Sequence, residues 1–174
     1  TPSVQTATAS FTLNIVSIPA GPNLPQFPQV YVDTTMPIVD GTTFNATACT
    51  GAGVGIQDRI NAAAAADGSL THAVVITGTL SCRLTLILPV KSGANPNGTG
   101  WIIIKTSAAA SLPAEGTRVV PATHAGFMPK ILGSTTNTEA MYMQRQAHHY
   151  RLIGLELGMA TGATSQGSIM NVGT

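Results

Sequence analysis

The strand pattern of this chain is clearest in one stretch near its end, Ala147-His148-His149-Tyr150-Arg151-Leu152-Ile153-Gly154-Leu155-Glu156-Leu157. Apolar side chains alternate from Ile153 to Leu157, so the stretch predicts a short strand that opens with two adjacent histidines. Similar short apolar runs occupy residues 73–77, 84–88, 101–105, 128–132, 140–143 and 168–172. Because Gly, Pro, Asn or Ser residues bound each run, the sequence predicts a series of short strands separated by turns.

The spacing of these strands is typical of a stack of parallel coils. Val75, Ile103, Ile131 and Ile153 are predicted to occupy equivalent points, at separations of about 22 to 28 residues, which is the range of solenoid repeats. Several runs are apolar throughout, as expected of strands that are covered on both faces. A stack needs more coils than follow Leu157, so we expect the chain to be an excised piece of a longer protein.

One helix is predicted at residues 54–66, ahead of the first apolar strand in the stack. Ile56, Ile60 and Ala63 fall on one face, while polar side chains occupy the remainder. Gly68 follows as a stop signal. The alanine on the apolar face predicts that this helix packs closely against a flat apolar surface.

Residues 1–39 differ in character from the rest of the chain. Phe11, Leu13 and Ile15 alternate with polar residues, so residues 1–18 are predicted to hold an orphan β-strand that resembles the end of an immunoglobulin-like repeat. Prolines at positions 19, 22, 25, 28 and 37 disfavour helix and remove ladder donors, which predicts a Pro-rich linker at residues 19–39. The stacked strands then occupy residues 40–174.

The order of helix, turn and short apolar strands resembles the N-terminal part of right-handed parallel β-helix proteins of the secreted bacterial, pectin-lyase-like type. The residues that carry the resemblance are 56–63, 80–89, 100–104, 128–131 and 147–156. It implies an all-β fold, a short right-handed parallel β-helix (solenoid) with an N-terminal capping α-helix, truncated within residues 40–174. It also implies a secreted or cell-surface protein that acts on polysaccharides, with most of the catalytic coils absent from this chain.

The charge of the chain is low and nearly balanced, with eight Lys or Arg against seven Asp or Glu. A near-neutral chain carries no electrostatic footprint for nucleic acid or for an anionic membrane, so neither is expected as a partner. The sequence has no apolar run of about 18 residues, so it predicts no membrane-spanning segment.

The two cysteines, Cys49 and Cys82, leave two interpretations open. They are either buried thiols or partners in a disulfide, which a secreted location would favour. Cys49 precedes the predicted helix and Cys82 lies between the first two strands. A helix that lies on the first coil would therefore bring them together.

His148 and His149 are the first candidates for a functional site. Neighbouring side chains on a strand point to opposite faces, so both rings reach one metal ion only where the backbone turns. In one interpretation, one ring is buried and hydrogen-bonded while the other lies on the surface. In the other, the pair recruits His124 or His72 and forms a zinc site of three imidazoles.

Glu156 and Arg151 lie on the same predicted strand as the histidines. Glu156, with Arg151 beside it, is a candidate general acid or base, and a solvated carboxylate is the alternative.

Trp101 either fills the interior of a coil or lies exposed as a platform for a sugar ring. The Gly-rich residues 51–55 before the helix either cradle a phosphate or form a flexible turn.

Three functions from different classes follow, and they leave open whether the chain is an enzyme. The first is a carbohydrate-associated β-helix fragment, as a binding or structural module or as the incomplete start of a polysaccharide-active enzyme. The second is a small metal-dependent hydrolase of esters or phosphoesters that uses histidines, with Zn²⁺ as cofactor, at an oligomer interface. The third is a structural piece of a surface adhesin.

The apolar run at 168–172 would be an open end of the stack, so a homo-oligomer is also expected.

Overall fold

A computed structural model of the protein describes residues 35–114, 116–133, 139–161 and 169–173. The chain divides into two compact units, Thr1–Thr35 and Met36–Thr174. The strand predicted within residues 1–18 and most of the linker predicted at 19–39 lie outside the described residues. The elements that follow all belong to the second unit.

Within the described residues, ten short strands form three parallel sheets. Sheet 1 has the order β1 (Thr43–Ala46), β2 (His72–Ile76), β5 (Ile102–Thr106) and β8 (Tyr150–Ile153). Sheet 2 has the order β4 (Leu86–Leu88), β7 (Met141–Met143) and β10 (Met170–Val172). Sheet 3 has the order β3 (Ser81–Arg83), β6 (Lys130–Gly133) and β9 (Glu156–Met159). From β2 onward, consecutive strands belong to sheets 1, 3 and 2 in turn.

The predicted helix is present as α1, which spans Ile56–Ala64 and is two residues shorter at each end than the prediction. Its buried side chains are Ile56, Ile60, Ala63 and Ala64, which confirms the apolar face. Gly55 precedes the helix in an extended conformation and contributes no side-chain cap. The helix contacts β1, β2, β4 and β5, and its small residues allow this close approach.

Helical turns also lie between β5 and β6, where the sequence predicted only connecting residues. They are the 3₁₀ turns Ala109–Ser111 and Ala125–Phe127 and the short helix α2 (Pro121–His124). Pro121 occupies the first turn of α2, where the missing N–H of proline is tolerated. Three successive alanines lead into the first 3₁₀ turn, and alanine favours helical backbone.

The predicted fold, an all-β, short right-handed parallel β-helix (solenoid) with an N-terminal capping α-helix, is wrong. The described chain has three short parallel sheets of three or four strands and is 15% helical. The physical reason is that apolar alternation locates strands but does not describe the segments between them, where alanines favour helical turns and a proline is tolerated at the first helical position. The parallel direction of the strands is confirmed by all of the pairings described.

The predicted register of equivalent residues is confirmed for Val75 and Ile153, which both pair with Lys105, and is wrong for Ile103 and Ile131. In sheet 1, Ile103 pairs with Ala73 on β2 and with Arg151 on β8. Val75 pairs instead with Lys105, and Ile131 belongs to sheet 3, where it pairs with Cys82. Because every strand of a buried parallel sheet is apolar, the apolar pattern alone does not fix which residues are neighbours.

The single strand predicted at residues 150–157 is divided into β8 and β9. Gly154 lies between them with a φ of +64°, a conformation that glycine adopts without strain. A Cβ atom at this position would lie 2.7 Å from the Cγ2 of buried Thr106 and would also meet the end of Leu112. Gly154 therefore turns the chain from sheet 1 into sheet 3 where two neighbouring side chains leave no space.

The core lies between the sheets and against α1, and a disulfide closes one side of it. The fully buried large side chains of this core include Ile56, Ile60, Val74, Ile76, Leu86, Ile102, Ile104, Ile131 and Met141. Cys49 and Cys82 form a disulfide, with their Cα atoms 5.3 Å apart. Of the two interpretations of the cysteines, the structure shows the bridged one, which ties the loop before α1 to β3.

Candidate functional site

His148 and His149 lie side by side immediately before β8. His149 has a φ of +57°, in the left-handed region that residues other than glycine rarely adopt. This turn removes the alternation expected of a strand, and the two Nδ1 atoms converge to 2.6 Å. The two rings are nearly perpendicular, with centroids 4.9 Å apart. The backbone turn that both rings need in order to face one point is therefore present.

Contacts outside the pair hold each histidine in place. His148 Nε2 lies 3.2 Å from the carbonyl oxygen of Pro96. Because a carbonyl oxygen only accepts, Nε2 carries the hydrogen, and Nδ1 of the neutral ring then has a free lone pair. The backbone of His149 is fixed by Ile102, whose N–H donates to the His149 carbonyl at 2.8 Å.

The electrostatic surroundings of His149 favour its neutral form. Partial burial lowers the pKa of the His149 imidazole below its usual value, and the nearby positive charge of Lys91 and the His148 ring lower it further. A neutral imidazole has one nitrogen with a lone pair, which is the form that accepts a hydrogen bond or binds a metal ion.

Trp101 is the centre of a small aromatic surface. The ring is partly exposed, so it is neither a fully buried plug nor a fully exposed platform. It meets His149 edge-on, with centroids 5.1 Å apart and ring planes at 77°. The guanidinium carbon of Arg151 lies 5.1 Å from the Trp101 centroid, within the range of a cation–π interaction. Trp101, His148, His149 and Arg151 are called the Trp101 platform.

Lys91 fixes the loop that leads into Trp101, and its role was missed by the sequence analysis. The residue is 4% exposed, and its ammonium group donates to the carbonyl oxygens of Gly68, Gly98 and Gly100. Burial lowers the pKa of Lys91 below its usual value. Three acceptors match the three N–H donors of the ammonium group. From the sequence alone, a lysine in a loop is most simply a solvated one.

His72, the other histidine considered as a zinc ligand, is buried in a backbone network. The Thr42 N–H donates to His72 Nδ1 at 2.9 Å, and His72 Nε2 lies 2.9 Å from the carbonyl oxygen of Asp67. This pattern requires a neutral ring with its hydrogen on Nε2. Both ring nitrogens are thus engaged, and His72 connects β2 to the chain on either side of it.

The carboxylate of Asp67 closes the turn between α1 and β2. Its Oδ1 accepts hydrogen bonds from Asn95 Nδ2 at 2.9 Å, from the Ser69 N–H at 2.9 Å and from Ser69 Oγ at 2.8 Å. These hydrogen bonds, that of Asn95 first, lower the pKa of Asp67 to about 2. Asn95 lies on the loop that also supplies Pro96 to His148, so this turn and the Trp101 platform share one loop.

Glu156 lies on a different sheet from Arg151. β8 ends at Ile153, and β9 begins at Glu156 in sheet 3. The Glu156 carboxylate forms an ion pair with Lys130, its partner across the strands. Glu156 is therefore paired with a lysine on the neighbouring strand. It does not lie on the same strand as Arg151 and does not follow the histidines on that strand. Its role as a general acid or base stays a prediction.

His124 lies at the end of α2 and is engaged locally. Its Nδ1 accepts a hydrogen bond from the Val120 N–H at 3.0 Å and lies 3.0 Å from Thr123 Oγ1. Among the residues that the structure describes, no group of three or more His, Cys, Asp or Glu side chains is placed to hold a metal ion. The structure thus does not bring His124 together with His148 and His149 as such a group.

An open groove of about 380 Å³ lies beside the disulfide. Its polar lining includes Thr50, Gln57, Asp58, Asn61 and Thr85. The Gly-rich residues 51–55 form one wall, and the Gly53 N–H donates to Asp58 Oδ2 at 2.6 Å. The Asp58 carboxylate therefore already accepts a hydrogen bond from the Gly53 N–H, a donor that a bound phosphate would need. This favours the interpretation of residues 51–55 as a turn.

Comparison of the chain with protein-family models, with curated proteins and with solved structures finds no match. The helices in the described part of the chain are all too short or too polar to cross a membrane.

Proposed function

We propose that this chain is a carbohydrate-associated binding module, with the Trp101 platform as its contact surface. The observation that carries the proposal is the partly exposed Trp101 ring with the Arg151 guanidinium and the His149 imidazole against it. Trp101 and His149 immediately precede β5 and β8 of sheet 1, and Arg151 lies on β8, so a rigid scaffold holds the three side chains. Lys91 and the His149 carbonyl fix the backbone on either side.

The chemistry of the platform suits a sugar. The apolar C–H face of a sugar ring packs on an aromatic ring, and Trp offers the largest such surface with a polar edge. Arginine N–H groups donate to the hydroxyl or carboxylate oxygens at the rim of the ring, and an imidazole nitrogen with a lone pair accepts from a hydroxyl group. The net charge of the chain is close to zero. The side chains of the Trp101 platform, and not the net charge of the protein, therefore supply the selectivity for a polysaccharide.

A secreted or cell-surface location is part of the proposal. The support is the disulfide between Cys49 and Cys82, since disulfides persist in oxidising compartments and are rare in the cytosol. The alternative of a small metal-dependent hydrolase of esters or phosphoesters, which uses histidines at an oligomer interface, stays a prediction.

Affinity electrophoresis on gels that contain soluble polysaccharides tests the proposal. We expect one polysaccharide to retard the protein, and Trp101→Ala to abolish the retardation. Phe127→Ala is the matched control, because Phe127 is an exposed aromatic residue outside the platform. The proposal fails if no polysaccharide of a broad panel retards the protein, a result that would favour the structural, adhesin-like alternative. It also fails if Trp101→Ala and Phe127→Ala behave alike.

We propose in addition that a second copy of the chain pairs on β10. In the described residues β10 forms one edge of sheet 2, and Ile169, Met170 and Val172 are 46%, 50% and 62% exposed. An apolar edge strand is a template for pairing with an identical strand. Light scattering should show a dimer or larger species at micromolar concentration that Val172→Lys shifts to the monomer. A monomeric wild-type protein would contradict the idea.

A further inference from the structure

We infer that the Nδ1 atoms of His148 and His149 form a two-nitrogen chelate for a tetragonal divalent transition-metal ion, with Cu²⁺ as the preferred one. The inference does not depend on carbohydrate binding. It rests on the convergence of the two Nδ1 atoms to 2.6 Å, which the left-handed backbone of His149 brings about. Adjacent residues on a regular strand would point these rings apart.

The contacts around the pair are those that orient metal-binding histidines. Such a histidine commonly donates its second ring N–H to a carbonyl or carboxylate, which fixes the tautomer and leaves the other nitrogen to bind. His148 has this arrangement, because its Nε2 faces the Pro96 carbonyl. The His149 carbonyl accepts a hydrogen bond from Ile102, and the His149 ring packs edge-on against Trp101.

The proton count of binding is balanced within the pair. Without metal, the His148 Nδ1 lone pair accepts from His149 Nδ1–H across 2.6 Å. When the ion binds, His149 moves that hydrogen from Nδ1 to Nε2, and each ring then presents one lone pair from a neutral imidazole.

The distance between the nitrogens selects the geometry of the ion. Metal–nitrogen bonds of about 2.0 to 2.1 Å place two nitrogens roughly 2.9 Å apart at a right angle and roughly 3.4 Å apart at a tetrahedral angle. The metal-free pair is 2.6 Å apart, so it has to open less to reach the right-angle distance, the geometry that Cu²⁺ and Ni²⁺ prefer and Zn²⁺ does not. The two histidine nitrogens fill two coordination positions of the ion, and water molecules fill the others.

Trp101 provides the measurement. It is the only tryptophan of the chain, and its ring centroid lies 5.1 Å from that of His149, so a paramagnetic ion on the pair quenches its emission. Titration with Cu²⁺ in a non-coordinating buffer at pH 7 should give saturable quenching with one ion per chain. Electron paramagnetic resonance of the complex should show a tetragonal signal with nitrogen couplings. Competition by Zn²⁺ should require a concentration at least about 10-fold higher.

Three variants decide the outcome. His148→Ala should weaken Cu²⁺ binding by at least about 10-fold, as should His149→Asn, whose amide side chain tolerates the left-handed backbone. His124→Ala is the matched control and should bind as the wild type does, with circular dichroism to show that each variant is folded. The inference is overturned if His148→Ala and His149→Asn keep the wild-type midpoint. Equal loss in His124→Ala, or Zn²⁺ binding as tight as Cu²⁺, would overturn it as well.

Discussion

The ammonium group of Lys91 donates a hydrogen bond to the carbonyl oxygen of Gly100, the residue immediately before Trp101. Two further carbonyl oxygens, those of Gly68 and Gly98, surround the same group. A buried lysine normally needs a carboxylate partner, and here backbone dipoles replace it. The Lys91 side chain therefore fixes the backbone where the chain enters β5, directly before Trp101.

Replacing Lys91 by Met should lower the free energy of unfolding by about 2 to 4 kcal/mol. The change leaves the buried carbonyl oxygen of Gly100 and the partly buried one of Gly98 without the Lys91 donor. The Gly68 carbonyl still accepts a hydrogen bond from the N–H of Gly100. Each orphaned group costs roughly 1 to 3 kcal/mol, partly offset by the relief of a buried charge. Urea unfolding measures the effect. Lys105→Met, at a partly exposed position on β5, should change stability by much less.

Removing the disulfide should destabilise the protein by roughly 3 to 4 kcal/mol on the chain-entropy model. The bond closes a loop of 33 residues between Cys49 and Cys82, and without it the unfolded chain gains conformational freedom. The double variant Cys49→Ala/Cys82→Ala should unfold at lower urea concentration than the oxidised wild type. A reducing agent should abolish most of this difference, and a difference that survives reduction would show that the packing of the sulfurs, not the closed loop, is responsible.

The pKa of Asp67 predicts how acid weakens the turn between α1 and β2. Its pKa is lowered from 3.8 to about 2, so the ionised carboxylate stabilises the fold above the unfolded value and loses this effect as pH falls through the folded one. The stability difference between wild type and Asp67→Asn should therefore be constant above about pH 4 and shrink between about pH 4 and 2. Asn95→Ala should raise the pKa of Asp67, as measured by NMR titration of its carboxyl carbon. An unchanged titration would refute the assignment of Asn95 as the first cause.

Gly154→Ala should destabilise the protein by about 1 to 3 kcal/mol, because its φ of +64° is unfavourable for alanine. The added Cβ would also lie 2.7 Å from the buried Thr106 Cγ2. Gly126→Ala is the matched control, since a Cβ there has nothing within 4 Å. Thermal unfolding of the two variants should differ clearly, and equal melting temperatures would contradict the argument.

The parts of the fold that were predictable are those that depend on local periodicity. Ile56, Ile60 and Ala63 recur at helical spacing and are buried together, and the apolar runs around Ile102–Thr106 and Lys130–Gly133 form strands. The division into three sheets depends on where the chain bends between strands. At Gly154 the bend lies inside one apolar run, so the alternation continues across it and hides it.

The candidate site was predictable in its residues but not in its geometry. The histidine pair stands out in the sequence, yet its convergence requires the positive φ of His149. That conformation is fixed by the hydrogen bond from Ile102, a residue far away in the sequence. The contribution of Lys91 likewise depends on three carbonyl groups that meet only in the folded chain. The positions of the His149 ring and of the Lys91 ammonium group are set by tertiary contacts, so the neighbouring sequence does not predict them.

The exclusively parallel pairing of the described strands has a consequence for the speed of folding. After β2, each strand of sheet 1 finds its partner only after the chain has passed through the other two sheets, as Ile102 does when it pairs with His72 and Tyr150. The chain loses conformational entropy when these long loops close, before the hydrogen bonds between the strands can form. Contacts between residues far apart in the sequence therefore make folding slow. During this time unpaired apolar strands stay open to other copies of the chain. Dilution should therefore raise the yield of refolding more than any change of salt, because the competing reaction is second order in protein.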